Sequence, residues 1–542
     1  MRGFKWAALA VVLAVAVFMV FRLIGGNGGG NATKEEDLKV ALDSDVERLN
    51  PLTIKNPKTF IVSWQIFEGL LALDDEGNIA PRLAAEWSSE DNRTWRFTIR
   101  EGVRFHQSPM FGGSEQSREV TAEDAVASYT AFCGADAYPA FLLTDILAGC
   151  SDYNSGKANT VSGIRQTGPM TFELELTQPE PFFLHRLSTA WIAIFPKEAL
   201  DPANRDAWGL SQVVGTGPFQ LESNSESAVL LSRNTDYWGE GGSGDVSNIS
   251  FRVIKNDQAR LDAIRNGSVD LMFLPPNLFP ATLAPGGGLK DSLAADLNLI
   301  KYATFNSHMI GFNVSTLDDV HLRRAMSLGI DREAIIDTLF YGNARISGGT
   351  VPLIMKDYKP LISSDSLFDP AEAKSELALS SYDGRAIELL VHDQASSEQI
   401  GQLVQSQLKG VGINIALTKV DFNTAITRMV QGEAPAFSMY FDYVFSTPEL
   451  VLLNMFDSKK RPVPNFWQYA NPAIDAELAG LRNLEPIDSR AKSAQIEEMV
   501  VNEAPAAFLF QLDSLLLMRK DRKAVTVNAH GHFDFAALES GE

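Results

Sequence analysis

Apolar and polar positions alternate or recur at helical spacing along most of the chain. Leu38-Lys39-Val40-Ala41-Leu42 reads as a first strand, and Leu49-Asn50-Pro51-Leu52 as a turn. Residues 60–71 carry apolar positions at helical spacing, and Asp74-Asp75-Glu76-Gly77 is a turn signal. Thr94 to Ile99 and Thr171 to Leu176 alternate as half-buried strands do. Between them Thr121-Ala122-Glu123-Asp124 opens a helix: Thr121 can cap it, and the acids suit its N-terminus. Residues 229–231 and 249–254 are further strands, and 259–266 a helix stopped by Gly267. Val320 to Leu339 is one longer helical pattern; a strand at 387–391, a helix at 398–409 and a strand at 413–417 follow. Short strands mixed with helices predict an α/β fold with several sheets. No repeat of 20–50 residues interrupts this reading.

The N-terminus has a different character. Arg2 and Lys5 precede an apolar run from Trp6 to Ile24, broken only by Arg22. As a helix it reaches roughly 28 Å, close to the hydrocarbon thickness of a bilayer. The flanking charges place the N-terminus in the cytoplasm and the body outside. No small-residue cleavage site and no cysteine follow the run, so residues 1–24 are expected to remain as a signal anchor. The glycine-rich residues 25–34 then form a flexible tether.

With that segment set aside, about 500 residues remain, enough for more than one domain. Hydrophobic residues make up 45% and charged residues 21%, so the body has material for a core. The net charge of −21 repels nucleic acid, and no basic run opposes it. Cys133 and Cys150 are the two cysteines. In an exported protein they are expected to pair, and closing a loop of that size contributes about 3 kcal/mol.

Several short motifs follow one another along the body. They are Leu49-Asn50-Pro51 with Phe67-Glu68-Gly69-Leu70; Pro81-Arg82-Leu83-Ala84 with Trp87; Gly102-Val103-Arg104-Phe105-His106; and Thr121 to Val126. Next come Val214-Gly215-Thr216-Gly217-Pro218-Phe219, Arg233-Asn234 with Tyr237-Trp238, and Gly267-Ser268-Val269-Asp270. The second half adds Phe312-Asn313-Val314 before Asp319, Arg323-Arg324-Ala325, Ile330-Asp331-Arg332, Phe368-Asp369-Pro370 with Ala373-Lys374, and Glu503-Ala504-Pro505. In this order the body, about residues 38–535, resembles the extracellular solute-binding proteins of family 5, which serve peptide and nickel ABC importers. The resemblance implies a two-lobed periplasmic-binding-protein-like fold of the class II type, with an extra domain on the first lobe. The first lobe is placed at 35–83, 208–297 and 508–542, the extra domain at 84–207 and the second lobe at 298–507. The implied role is to capture a short peptide outside the cytoplasmic membrane and hand it to ABC permease and ATPase subunits. Another solute, such as a metal chelate or an oligosaccharide, and a tethered ligand sensor are the alternatives.

A free peptide presents an ammonium, a carboxylate and backbone groups, and a strand-like segment can pair with the backbone. In peptide-binding relatives an aspartate in a W-x-x-D-Y-x-D-P-like stretch meets the ammonium. The match here is Phe441-Asp442-Tyr443, which makes Asp442 the leading site residue. The tryptophan is absent, and Thr447-Pro448 stands late in place of the second Asp-Pro. The other strand-forming segment of the relatives corresponds to Lys55-Asn56-Pro57-Lys58-Thr59, so Asn56 to Thr59 are expected against the ligand.

Other chemistry is not expected. Gly215-Thr216-Gly217-Pro218 lacks the Lys and Ser/Thr of a phosphate loop and reads as a turn. No H-E-x-x-H, G-x-S-x-G or C-x-x-C is present, and no nucleophile, base and orienting group shows itself, so neither an enzyme nor a cofactor is expected. His530, His532 and Asp534 would share one face of a strand, where they have donors for a transition metal; a solvated face near the C-terminus is the preferred reading. His106 is read as structural.

Overall fold

The computed structural model describes residues 38–539, apart from 75, 114–115, 240–243, 394–395, 485 and 529. The expected anchor at 1–24 and tether at 25–34 lie outside the described residues.

Among these residues one twelve-stranded sheet organises the molecule. Its main path runs Ile415–Val420, Ile387–His392, Ala436–Asp442, Asn306–Phe312, Ala506–Arg519, Leu271–Phe273, Leu38–Leu42, Asn248–Val253, Ala228–Arg233 and Phe219–Asn224. Leu297–Ala303 and Ala344–Ile346 also pair with the long strand Ala506–Arg519. That strand holds the two halves together. Its first part pairs with Asn306–Phe312, as in Met309 opposite Phe508. Its second part pairs with Leu297–Ala303, from Ala303 opposite Asp513 to Leu297 opposite Arg519. The chain therefore passes between halves at 303–306 and at 512–513. Asn306 ties these crossings: its amide nitrogen donates to the Leu512 carbonyl at 2.8 Å, and its amide oxygen accepts from Leu512 N at 2.8 Å.

A separate antiparallel sheet, Ala84–Ser88, Thr94–Ile99, Thr171–Glu175 and Ile164–Gln166, sits on the first half. It shares a core with that half: Leu38, Phe97, Phe172 and Phe251 are all fully buried in one apolar cluster. Helix Ala122–Phe132 covers this sheet. Asp124 accepts from Thr121 N at 2.9 Å, satisfying one of the orphan donors at the helix start. Cys133, just past the end of that helix, is disulfide-bonded to Cys150.

Two helical expectations are corrected. The pattern at 60–71 yields only helix Pro57–Ser63. It stops because the carbonyls of Gln65 and Ile66 accept from Phe219 N and Gly217 N, which a continuing helix would forbid, and Leu71–Leu73 pairs with Ile79–Pro81. The pattern at 320–339 is two helices, Val320–Leu328 and Arg332–Phe340. Gly329 ends the first, and the Asp331 side chain caps the second through Ala334 N at 2.9 Å.

The ordered motifs have physical roles here. Asp319, Asp331 and Asp369 are all N-caps. Arg323 and Arg332 are buried and donate to backbone carbonyls: Arg323 to Ala504, Leu317 and Glu503, and Arg332 to Phe508, Ile330 and Leu367. Glu68 is buried in the first half. It accepts from Thr216 Oγ1 (2.8 Å), Tyr237 OH (2.9 Å) and Trp238 Nε1 (2.8 Å), with Arg82 at 3.8 Å. The turn at 215–218 is built for close approach, since a Cβ on Gly215 would fall 2.0 Å from the Ile66 carbonyl oxygen. His106 Nε2 bonds to the Gly217 carbonyl at 2.9 Å and its Nδ1 accepts from Gly215 N, which fixes the tautomer with the proton on Nε2.

Candidate functional site

The strand Ala436–Asp442 runs antiparallel to Asn306–Phe312, with Asp442 opposite Asn306. It therefore ends beside the crossing between the halves. Alternation puts Tyr440 and Asp442 on one face and Phe441 and Tyr443 on the other. Phe441 and Tyr443 stack at 5.8 Å, and Phe441 packs on Trp467 within the core of the second half. Asp442 opens into a cavity of about 260 Å³.

Each half contributes to that cavity. Lys58 and Phe60 come from helix Pro57–Ser63, Trp64 from the turn after it, and Trp191 from the segment that follows the four-stranded sheet. Tyr302 and Phe305 come from the crossing, Asp442 and Tyr443 from the second half, and His530 and Phe533 from the C-terminal segment. A second cavity of about 190 Å³ adjoins it, sharing Phe60, Trp64, His530 and Phe533 as walls and reaching Glu68, Arg82 and Asp534.

Two charges dominate the larger cavity. Asp442 is open to the cleft but ringed by protein, and this burial pushes its carboxyl up to about 6, against the smaller opposing field of Lys58. Among the described residues no hydrogen bond reaches its carboxylate. Burial likewise lowers the Lys58 ammonium, while Asp43 and Asp442 raise it and Arg260 lowers it. Lys58 Nζ has Asp43 at 3.8 Å, a loose pairing, and lies 3.8 Å from the centre of the Phe273 ring. The Lys58 and Asp442 side chains thus stand on opposite halves of the molecule, and each is left under-satisfied.

The residues expected from sequence divide into two sets. Lys58, Asp442 and Tyr443 line the cavity. Asn56, Phe441 and Thr59 do not. Asn56 caps the helix, accepting from Lys58 N at 2.9 Å and donating to Ser44 Oγ at 3.1 Å. Thr59 is fully buried, and its hydroxyl accepts from Glu47 N at 3.1 Å. Pro57 takes the first helical position, where its missing N–H costs nothing. The expected strand at 56–59 is therefore a helix start, because an Asn-Pro pair is better suited to capping than to a ladder.

His530 and His532 do not form a solvated face. Both are half-buried in the cavity wall, where loss of solvent lowers their pKa to about 4 and keeps them neutral; His532 packs edge-on to Trp64 and His530 edge-on to Phe305. Among the described residues no group of three or more His, Cys, Asp or Glu side chains is placed to hold a metal ion. Trp64, Trp191, Phe273, Tyr302 and Phe305 were not singled out by sequence, since no local motif marks them.

A family model for bacterial extracellular solute-binding proteins, family 5, matches residues 78–462, well over half of the chain. The chain belongs to this family. Family 5 membership makes it an extracellular solute-binding protein. The glutathione-binding protein of Salmonella paratyphi A is 24% identical over 522 residues, 92% of each chain. The periplasmic oligopeptide-binding protein of Salmonella typhimurium is 24% identical over 459 residues, 80% of this chain and 79% of that one. The solved structure of HbpA2 from Haemophilus parasuis superposes with a TM-score of 0.78 at 20% identity, covering 93% of this chain and all of the other. The fold is accordingly the two-lobed α/β architecture of periplasmic binding proteins. Among the described residues no helix is long and apolar enough to cross a membrane.

Proposed function

We propose that this family 5 protein captures a short peptide in the cleft between its lobes and delivers it to the permease and ATPase subunits of an ABC importer. It binds its ligand and does not transform it. The observation that carries this reading is Asp442: a carboxylate with no hydrogen bond among the described residues, at the end of a strand, facing the cavity and matched to a peptide ammonium. The relatives named for glutathione and oligopeptides support it. On this reading the lobes meet at the crossings 303–306 and 512–513, and the extra domain at 84–207 rides on the first lobe.

The test is calorimetry with a mixed peptide library, followed by one hit in free and N-acetylated form. A ligand that binds only the folded state raises the melting temperature. The free peptide is expected to raise it and the acetylated form to do so far less. If no peptide raises it, the peptide reading fails. We also propose that Trp6 to Ile24 stays as an uncleaved anchor; a mature N-terminus near Thr33 in a soluble fraction would overturn that part alone.

A further inference from the structure

The cavity is unusual in what it lacks. Of its eighteen lining residues eight are aromatic, against 9% of the whole chain. Among its described residues the lysines, arginines and carboxylates number two: Lys58 and Asp442. The one other titratable base, His530, is held neutral by burial. The remaining polar side chains are hydroxyls: Thr189, Thr304 and Ser514.

The adjoining cavity does not change this balance. Its Glu68 is already saturated by three hydrogen bonds and faces the Arg82 guanidinium. Its Asp534 accepts from Ala537 N at 3.0 Å and repels any further acid. His532 is neutral there.

Resting on the reading of Asp442 as the ammonium site, we infer that Lys58 takes the ligand carboxylate from the opposite lobe, and that the ligand is a short peptide with both termini free and with apolar or aromatic side chains. One ammonium and one carboxylate then consume both cavity charges. Any further ionised side chain is left desolvated without a partner, which is costly. The aromatic walls of Phe60, Trp191, Tyr302 and Phe305 supply contact area for apolar groups. Lys58, loosely paired with Asp43 and resting on the Phe273 ring, gains a close acceptor only when a carboxylate enters. Glutathione, with two carboxylates to one ammonium, does not fit this balance, although a relative is named for it.

The experiment measures affinity for leucyl-phenylalanine, its C-terminal amide, its N-acetyl form, leucyl-glutamate, leucyl-lysine and glutathione. In the wild-type protein the amide, leucyl-glutamate, leucyl-lysine and glutathione are each expected to bind about tenfold or more weaker than leucyl-phenylalanine. In Lys58→Met the free acid and the amide should bind alike. The amide comparison needs no variant, so a folding defect in Lys58→Met cannot mask the answer. Equal binding of acid and amide by the wild type overturns the role of Lys58. Binding of glutathione, leucyl-glutamate or leucyl-lysine as tightly as leucyl-phenylalanine overturns the side-chain class. If acetylation weakens binding and amidation does not, the function proposed above stands and this inference falls. If no peptide binds, both fall.

Discussion

Asp442→Asn is expected to weaken free-peptide binding by about 2–5 kcal/mol, the cost of leaving one member of a desolvated ion pair alone. At 1.4 kcal/mol per factor of ten this is a loss of roughly 30-fold or more. Asparagine keeps the size and a hydrogen-bonding oxygen, so the loss isolates the charge. An N-acetylated peptide has no ammonium and should bind both proteins equally. The pH dependence has a definite sign. The surrounding protein raises the carboxyl from 3.8 to about 6, so the folded protein holds this proton more tightly than the unfolded chain does. The stabilisation due to protonation is complete below pH 4 and is lost as pH rises through about 6. At pH 7–8 the unliganded Asp442→Asn protein should therefore melt higher than wild type, with the gap closing between pH 6 and 4. Peptide affinity of the wild type should move the opposite way, rising from pH 5 to 7, because the ammonium needs the ionised carboxylate. Isothermal calorimetry and melting curves at four pH values test both. Equal peptide binding by wild type and Asp442→Asn would leave the family intact and displace the site.

Replacing Arg332 should be the most damaging single change to the second half. Its guanidinium is 2% exposed and donates to the carbonyls of Phe508 (2.7 Å), Leu367 (2.6 Å), Ile330 (2.9 Å) and Ser327 (3.2 Å). These acceptors come from three separate stretches of chain, so one side chain closes a junction. Burial lowers its pKa to about 10, which still leaves it charged at neutral pH. Arg332→Met roughly preserves the length but removes all these donors at once, at about 1–3 kcal/mol for each carbonyl left bare. Part of that is recovered by no longer burying a charge, so a net loss of about 3–5 kcal/mol is expected. At roughly 2–4 °C per kcal/mol the melting temperature should fall by about 10 °C. Arg332→Lys should rescue little, since a point ammonium cannot span the fork. A melting temperature within about 2 °C of wild type would mean that these bonds carry little stability.

The sequence was most legible where one element carries the whole signal. The alternation in Thr94–Ile99 and Thr171–Glu175 marks strands buried on one face, and Asp442 lies within a short motif on a single strand. It was least legible where the backbone is held by distant partners. Nothing near Ser63 announces that the next turn will bond to Gly217 and Phe219, more than 150 residues later. The cleft aromatics fail for the same reason. Trp64, Trp191, Phe273 and Phe305 carry no local motif, and only the tertiary fold gathers them around Asp442. His530 and His532 alternate in sequence, but what sets their protonation is burial against Phe305 and Trp64, which spacing does not encode.

The long strand Ala506–Arg519 lies between Asn306–Phe312 and Leu271–Phe273 in the sheet, so both halves depend on it. It is also made long after both of the strands it lies between. Until those residues leave the ribosome, each half lacks an interior strand and exposes the apolar edges that strand will cover. The Arg332 side chain, too, must wait for the Phe508 carbonyl. Neither half can complete its part of the sheet before Ala506–Arg519 has been made. A chain that crosses a membrane before it folds gains from this order, since the sheet of either half stays incomplete until that one strand arrives.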